Sequence, residues 1–427
     1  MGSILLKNIT AVSSGKTFSA DILIEDGVIA SLDGKTADEI YDCTGLTAMP
    51  GLFDMHIHLR DPGFTAKEDI LTGCAAALAG GVTGGACMPN TKPAIDSSET
   101  VRYIIDKAKK TGVDIRPVGA ITKGLSGKEM SDFDELKNAG ICALSDDGRP
   151  VENAEMMRRA LVRAAKRNIP VISHCEDLSI INGGIINKGD VSEELGVQGM
   201  DRASEDYITA REMILAASAD VPIHIAHVST KGSTAMIRFA KSQGVKVTCE
   251  TCPHYFLLTD EAVRGMDADY RMSPPLRTDD DRKAIIEGLL DGTIDCIVTD
   301  HAPHTPDEKS DFYKAPNGVI GMETSLAATL TLYHEGKLTL SDIARLMSEK
   351  PREILSLPKA EIKAGAEANL CVVDTEYEWT VDPEKLHSKA RNAVFKGKKL
   401  KGKPVMTICS GGVRFTDTEY NFKKENV

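Results

Sequence analysis

The chain has 427 residues, of which 42% are hydrophobic and 27% charged, and its formal net charge is −12. This composition is typical of a globular protein, and the acidic balance argues against a nucleic-acid-binding surface as the main function. The sequence lacks an apolar run of the roughly 20 residues that cross a membrane, and its N-terminus lacks the layout of a secretory signal, so we expect a cytoplasmic protein of enzyme size.

Both ends of the chain show the alternation of apolar and polar residues that is typical of β-strands. The segments with this pattern are residues 4–8, 20–24, 28–30, 368–374 and 405–408. Turn-like glycine and acidic residues separate them. We therefore expect residues 1–48 and 363–427 to build one small β-sandwich domain from both termini.

Between these ends, short apolar segments bounded by turn residues alternate with helical patterns such as 151–167 and 278–290. The eight segments that we expect to be strands are residues 53–58, 82–88, 115–121, 141–146, 170–175, 222–228, 245–250 and 295–300. Eight strands alternating with helices are what a closed (β/α)8 barrel of the TIM type requires. A doubly wound open sheet is the alternative, but its glycine-rich turn follows a strand, whereas glycine-rich residues 80–85 open one. We predict an α/β protein with its barrel over residues 49–362.

Histidine or aspartate ends five of the predicted strands, where a barrel places its active site. These residues are His56 and His58, Asp146 and Asp147, His174, His227, and Asp300. Residues i and i+2 of a strand point to the same face, so His56 and His58 can share one metal ion. Imidazole and carboxylate groups are ligands that zinc accepts, and His174 with His227 leaves room for a second ion. Asp300 is the natural acid–base group, so the pattern predicts a metal-dependent hydrolase.

Other histidines near these strand ends are expected to have supporting roles. His224 lies three residues before the sixth-strand histidine, so we expect it to point to the other face and to be structural. His254 and His301 are expected to pack beside the site or to support its ligands. Of Asp146 and Asp147, only one can point inward, and strand parity alone does not choose between them.

Several segments resemble one enzyme family. Residues 54–63, Asp-Met-His-Ile-His-Leu-Arg-Asp-Pro-Gly, are similar to the opening motif of the cyclic-amide branch of the amidohydrolase superfamily. The segments that narrow the resemblance to the long-chain (type I) dihydroorotases are 87–91, 145–148, 225–229, 274–277, 299–304, 315–318, 321–324 and the tail 388–392. The resemblance covers nearly the whole chain. It implies reversible hydrolysis of the cyclic amide of (S)-dihydroorotate to N-carbamoyl-L-aspartate, the third step of de novo pyrimidine biosynthesis.

The resemblance also implies a cofactor of one or two Zn²⁺ per subunit and the residues that bind it. The implied ligands are His56, His58, Asp147, His174, His227 and Asp300. Asp147, two residues after Ser145, is implied to bridge the metals where other members of the superfamily use a carboxylated lysine. Asp300 is implied to ligate the first metal and to carry the proton.

The residues that the resemblance implies for the substrate are His58, Arg60, Asn90, Ser273, His304, Asn317 and Gly318. A forked guanidinium such as that of Arg60 is a sound partner for a carboxylate. Ser273 departs from the family, which usually has asparagine before Pro-Pro-Leu-Arg, and the shorter side chain leaves this contact open. Residues 252–255, Cys-Pro-His-Tyr, are closer to allantoinases and hydantoinases than to most dihydroorotases.

Two alternative functions stay open. A hydrolase of allantoin, hydantoin or dihydropyrimidine would have a lysine at the end of the fourth strand. Here that strand ends in aspartates, and the nearest upstream lysine, Lys137, lies before the strand. A non-catalytic scaffold would have lost metal ligands, whereas this chain keeps every candidate. The resemblance suggests a homodimer and, as a further partner, aspartate carbamoyltransferase. The sequence does not identify the loop that covers the substrate, and the polar segment 304–314 is one candidate.

Overall fold

The computed structural model describes residues 2–425. Its strands are β1 Ile4–Ser13, β2 Lys16–Glu25, β3 Val28–Ser31, β4 Glu39–Asp42, β5 Thr47–Pro50, β6 Leu52–Ile57, β7 Val82–Cys87, β8 Asp114–Ala120, β9 Ala143–Ser145, β10 Ile172–Ser173, β11 Ile186–Asn187, β12 Gly199–Met200, β13 Ile223–Ile225, β14 Val247–Thr251, β15 Cys296–Ile297, β16 Leu370–Thr380, β17 Lys399–Cys409, β18 Gly412–Thr416 and β19 Lys423–Glu425.

The α-helices within the same residues are α1 Ile70–Ala79, α2 Ser98–Ala108, α3 Phe133–Ala139, α4 Ala154–Ala165, α5 Leu178–Ile181, α6 Asp190–Glu194, α7 Ala203–Ala219, α8 Lys231–Ser242, α9 Pro253–Leu257, α10 Asp279–Asp291, α11 Met322–His334, α12 Leu340–Ala344 and α13 Lys350–Ile354. In this described part of the chain, the helices are too short or too polar for a membrane-crossing segment. Asp69 and Asn153 begin α1 and α4 by accepting hydrogen bonds from free amides of the first turn.

Eight of the strands close into a barrel. Strands β6, β7, β8 and β9 pair in this order as one parallel sheet, and β10, β13, β14 and β15 form a second. A parallel bridge between Leu144 and Val171 joins the first sheet to the second, and another between Ile57 and His301 closes the ring. The predicted TIM-type barrel is therefore confirmed.

The barrel strands are mostly shorter than the sequence predicts. The predicted strand 170–175 is reduced to β10, and 222–228 is reduced to β13. The cause is that the chain leaves the sheet before it reaches the polar residues, which lie on the turns that follow. Strand β6 is buried at every position, as expected for a strand covered on both faces.

The two ends of the chain share a nine-stranded sheet, which runs β18-β17-β16-β5-β1-β2-β3, with β4 paired to β1 and β19 paired to β4. Strand β16 pairs antiparallel with β5, which pairs parallel with β1, so the C-terminal strands are joined to the N-terminal ones. An apolar core that includes Ile22, Leu370 and Met406 lies within these strands. The predicted β-sandwich from both termini is confirmed, and β5 extends it to Pro50, just beyond residue 48.

Candidate active site

A cavity of about 360 Å³ opens where the barrel strands end. Its walls include predicted metal ligands and predicted substrate residues together. The predicted residues on the wall are His58, Arg60, Asn90, Asp147, His174, His227, Ser273, Asp300, His304, Asn317 and Gly318. His56 lies beneath them and is fully buried. The residues that the sequence scatters over 263 positions, from 56 to 318, thus meet at one place.

His56 and His58 at the end of β6 are each held by one ring nitrogen. The Nδ1 atom of His56 lies 2.6 Å from Oε1 of Glu250, and the Nδ1 atom of His58 lies 2.8 Å from Oδ1 of Asn90. Because oxygen accepts in both contacts, Nδ1 carries the hydrogen in each ring. Nε2 is therefore the ring atom of each histidine that faces the cluster, and it would bind a metal after losing its proton.

Both Nε2 atoms point to the same pair of carboxylates. The Nε2 atom of His56 lies 3.3 Å from Oδ1 of Asp147, and that of His58 lies 3.0 Å from Oδ1 of Asp300. Burial alone would raise the pKa of Asp300, but the hydrogen bond with His58 and the charge of His56 lower it below its usual range. Asp300 is therefore an anion at neutral pH.

A second pair of histidines also approaches Asp147. The Oδ1 atom of Asp147 lies 3.4 Å from Nδ1 of His174 and 3.8 Å from Nε2 of His227. These two nitrogens lie 2.8 Å apart. The Nε2 atom of His174 faces Oε2 of Glu176 at 3.3 Å. One carboxylate is thus shared between two histidine pairs.

The two adjacent aspartates after β9 face different surroundings. Asp146 accepts a hydrogen bond from the backbone amide of Thr122 at 3.0 Å and another from the Thr122 hydroxyl. Burial raises the pKa of Asp146 to about 7. Asp147 faces the histidines instead. The geometry thus distinguishes two residues that strand parity leaves equivalent.

The arrangement fits a metal ion. The buried atoms His56 Nε2 and Asp147 Oδ1 lack a hydrogen-bond partner within the described residues, which is costly unless something else binds them. Two groups of three residues could each hold a metal ion, because their ligand atoms lie within 4.8 Å of one another. One group is His56, Asp147 and His227, and the other is His56, His58 and Asp300. Imidazole and carboxylate donors around a cavity are what a catalytic metal requires.

Three site residues adopt left-handed backbone conformations. The φ angles are 58° at Arg60, 33° at His227 and 47° at Asp300. Non-glycine residues rarely adopt such angles, which cost roughly 1–3 kcal/mol and occur mostly at functional sites. The turn at each residue brings its side chain to the cavity directly after a strand has ended.

The side of the cavity that contains the predicted substrate residues Arg60 and His304 is basic. The Nε atom of Arg60 donates to the carbonyl of Pro303 at 3.2 Å. His304 donates from Nε2 to the carbonyl of Asn317 at 2.9 Å, and Lys67 Nζ lies 3.3 Å from its Nδ1 atom. Burial and the charges of Arg60 and Lys67 lower the pKa of His304 to about 3, so its ring is neutral. Ser273 donates through its hydroxyl to Oε1 of Glu176.

Sequence reasoning missed the carboxylate that holds His56. Glu250 on β14 is fully buried, and its second oxygen lies 3.1 Å from Nε2 of His224. His224 also contacts the hydroxyl of Thr248 at 2.8 Å. The expectation that His224 points away from the site is therefore wrong, because its ring lies beneath the ligands. The available signal was that Glu250 ends a predicted strand, as the histidines and aspartates do.

Comparison with known proteins identifies the family. A family model described as "Dihydro-orotase-like" matches residues 45–233. The dihydroorotase of Citrifermentans bemidjiense is 51% identical over 407 residues, which cover 94% of this chain and 96% of that one. The dihydroorotase of Geobacter metallireducens is 52% identical over 400 residues, which cover 92% of this chain and 94% of that one.

Solved structures are similar over the same length. L-hydantoinase (dihydropyrimidinase) from Arthrobacter aurescens has a TM-score of 0.87 and 24% identity, covering 97% of this chain and 96% of that one. Dihydropyrimidinase from Brevibacillus agri has a TM-score of 0.83 and 22% identity, covering 98% and 96%. At these identities the similarity shows the fold, a TIM barrel with a β-sandwich. Since half of its residues match those of dihydroorotases along almost the whole of both chains, this chain belongs to the dihydroorotase family.

Proposed function

We propose that this protein is a dihydroorotase, which hydrolyses the cyclic amide of (S)-dihydroorotate to N-carbamoyl-L-aspartate and closes the ring in the reverse direction. This is the third step of de novo pyrimidine biosynthesis. The observation that carries the proposal is that Arg60, Asn90 and His304 line the same cavity as the histidine–aspartate cluster. The substrate has a carboxylate next to a reactive ring amide, and the cavity has a guanidinium next to a metal-binding cluster.

Arg60 is the residue proposed to bind the substrate carboxylate. Its guanidinium is half-buried at the wall of the cavity, where a carboxylate would bind by two parallel hydrogen bonds. Asn90 donates from Nδ2 to Oδ2 of Asp147 at 3.3 Å, while its oxygen holds His58, so it links the substrate wall to the metal cluster. The carbonyl of Asn317 fixes the ring of His304, which completes this wall.

The cofactor that we propose is zinc, one or two ions per subunit. His56, His58 and Asp300 would hold the first ion, His174 and His227 would hold the second, and Asp147 would bridge them. When bound, zinc acts as a Lewis acid that polarises a carbonyl group and lowers the pKa of water. The donor set of imidazoles and carboxylates, with an open cavity beside it, supports this choice.

Asp300 is the proposed proton carrier. Its ionised carboxylate accepts a proton from the attacking water, whose oxygen bonds to the ring carbonyl carbon. The ring C–N bond then breaks, and Asp300 gives the same proton to the leaving nitrogen. The new carboxyl group releases the second proton of the water to solvent, which leaves a carboxylate and an open carbamoyl group, so atoms and charge balance. Ring closure uses the same groups in reverse order.

The main alternative is a hydrolase of another cyclic amide, since the similar solved structures are named hydantoinase and dihydropyrimidinase. Asp147 lies just after β9, where the resemblance implies a lysine in hydantoinases and allantoinases. Arg60 and Asn90 are matched to an acidic substrate, which hydantoin is not. We further propose a cytoplasmic homodimer that associates with aspartate carbamoyltransferase, as is expected from the family.

Metal reconstitution tests the proposal. The purified protein is stripped with a chelator and then titrated with zinc while the formation of carbamoyl aspartate from dihydroorotate is measured. We expect no turnover without metal and full turnover at one or two zinc ions per chain. A zinc-loaded protein that leaves dihydroorotate unchanged would contradict the proposed function. A chain that binds no zinc would indicate a non-catalytic scaffold.

A further inference from the structure

One wall of the cavity consists of backbone at Asn317 and Gly318. Gly318 has a φ angle of 141°, and a Cβ atom there would lie 2.7 Å from the carbonyl oxygen of Ala302 and 3.1 Å from Cδ2 of His304. Its amide donates to the carbonyl of Arg271 at 3.0 Å. The backbone thus packs directly against His304, and a displacement of this wall would move the imidazole with it.

Asn392 holds this wall from behind. Its side-chain nitrogen donates to the carbonyls of Gly318 at 2.9 Å and Ala302 at 3.2 Å, and its oxygen accepts from the amide of His304 at 3.3 Å. The side chain is buried, with 2% of its surface exposed. Both hydrogens and the oxygen of one amide are therefore committed to the two segments that form the wall.

Lys309 holds the same wall from another direction. Its ammonium donates to the carbonyls of Pro316 and Gly318, both at 3.0 Å, and to that of Arg271 at 3.2 Å. The side chain is buried, and burial lowers its pKa to about 8. A buried ammonium is tolerated only when such acceptors surround it. The nitrogens of Asn392 and Lys309 therefore converge on one oxygen, that of Gly318.

These two residues come from distant parts of the chain. Lys309 lies in the segment that follows β15, whereas Asn392 lies between β16 and β17, in a segment that returns from the terminal sheet. Neither is among the residues that line the cavity. We propose that Asn392 and Lys309 are positioning residues, which fix the Gly318 carbonyl from behind and thereby hold the Asn317–Gly318 wall and His304 against the substrate. The identity of that substrate rests on the proposed function.

Kinetics of Asn392→Ser and Lys309→Met test this role. A loosened wall would weaken binding of the ground state and the transition state alike, so we expect KM for dihydroorotate to rise roughly 5- to 50-fold while kcat changes less than about 3-fold. Zinc content should stay unchanged. The matched controls are Arg391→Met, whose side chain hydrogen-bonds to Glu384 and to carbonyls of its own segment, and Lys314→Met, which removes an exposed ion pair with Asp311.

Hydrogen exchange gives a second readout that needs no substrate. Amide exchange of the peptide 315–322 should rise about 10-fold or more in both variants and stay at the wild-type rate in both controls. Asn392→Asp and Lys309→Gln, which keep the size or a donor, replace any variant that fails to fold. The positioning role is overturned if amide exchange in the two variants equals that of the wild type. It is also overturned if the wild type turns over dihydroorotate and the variants have the same KM. If the variants lose protection but the wild type does not turn over dihydroorotate, only the proposed function is contradicted.

Discussion

At the scale of single residues, Arg60 is the residue that we propose to distinguish an acidic from a neutral substrate. It follows His58 by two positions, and its left-handed backbone turns the guanidinium toward the cavity. The sequence shows the residue and its spacing. It does not show the turn, because that depends on the carbonyl of Pro303, which lies 243 positions later and accepts from Arg60.

Arg60→Lys tests this role. Lysine keeps the charge but loses the fork that binds a carboxylate at two points, so we expect KM for dihydroorotate to rise about 10- to 100-fold. Zinc content should not change, because Arg60 is not a ligand. Arg158→Lys, an exposed arginine paired with Glu155, is the control and should leave KM unaltered. A wild-type KM in the Arg60→Lys variant would show that Arg60 does not bind the substrate carboxylate.

Glu250 is the residue whose role only the structure reveals. Its carboxylate lies 2.6 Å from Nδ1 of His56 and orients that ring. Residues that hold a metal ligand in this way typically contribute roughly 10- to 100-fold to metal affinity. We expect Glu250→Gln to lower zinc affinity by about that amount, measured by competition with a chromophoric chelator.

The control for this measurement is Glu212→Gln. Glu212 is also fully buried, but its ion-pair partner among the described residues is Arg211 rather than a site histidine. We expect the zinc affinity of Glu212→Gln to match that of the wild type. Equal zinc affinity in the two variants would mean that Glu250 does not support His56.

At the scale of elements, parity succeeds only inside a strand. His56 lies within β6, and His58 directly follows it, so spacing by two correctly places both rings on one side. His227 and Asp300 lie beyond the ends of β13 and β15, where the period of two no longer applies. Their directions come from positive φ angles, which is why the sequence predicts their neighbourhood but not their orientation.

The turn between α1 and β7 gives a prediction at this scale. Gly81 has a φ angle of 78°, and a Cβ atom there would lie 2.3 Å from Sγ of Cys371 on β16. Gly127 has a similar φ of 68° but open space around it. Gly81→Ala and Gly127→Ala should both lose about 1–2 kcal/mol of unfolding free energy to backbone strain. Gly81→Ala should lose about 1–3 kcal/mol more to the collision.

Denaturant unfolding of the two glycine variants measures this difference. Equal losses would show that the turn does not pack tightly against β16. The larger loss at Gly81 would show that the barrel and the terminal sheet are joined by close packing at this turn.

At the scale of the whole molecule, the alternation of strands and helices predicts the barrel, and the returning β-pattern predicts the terminal sheet. Both follow from local periodicity, which a sequence displays directly. The pair β11 and β12 was not predicted, since strands of two residues have no periodicity to detect. Nor was the path of residues 388–392 back to the active site, because Asn392 acts through contacts with residues 74 to 90 positions away.

The most direct test of the central claim is the specificity of the zinc-loaded protein, measured as kcat/KM for dihydroorotate, hydantoin, dihydrouracil and allantoin under one set of conditions. A carboxylate bound by Arg60 distinguishes the first substrate from the others, and leaving that guanidinium unpaired costs several kcal/mol, so we expect a preference of about 10³-fold or more. Comparable or higher kcat/KM for hydantoin, dihydrouracil or allantoin would contradict the account.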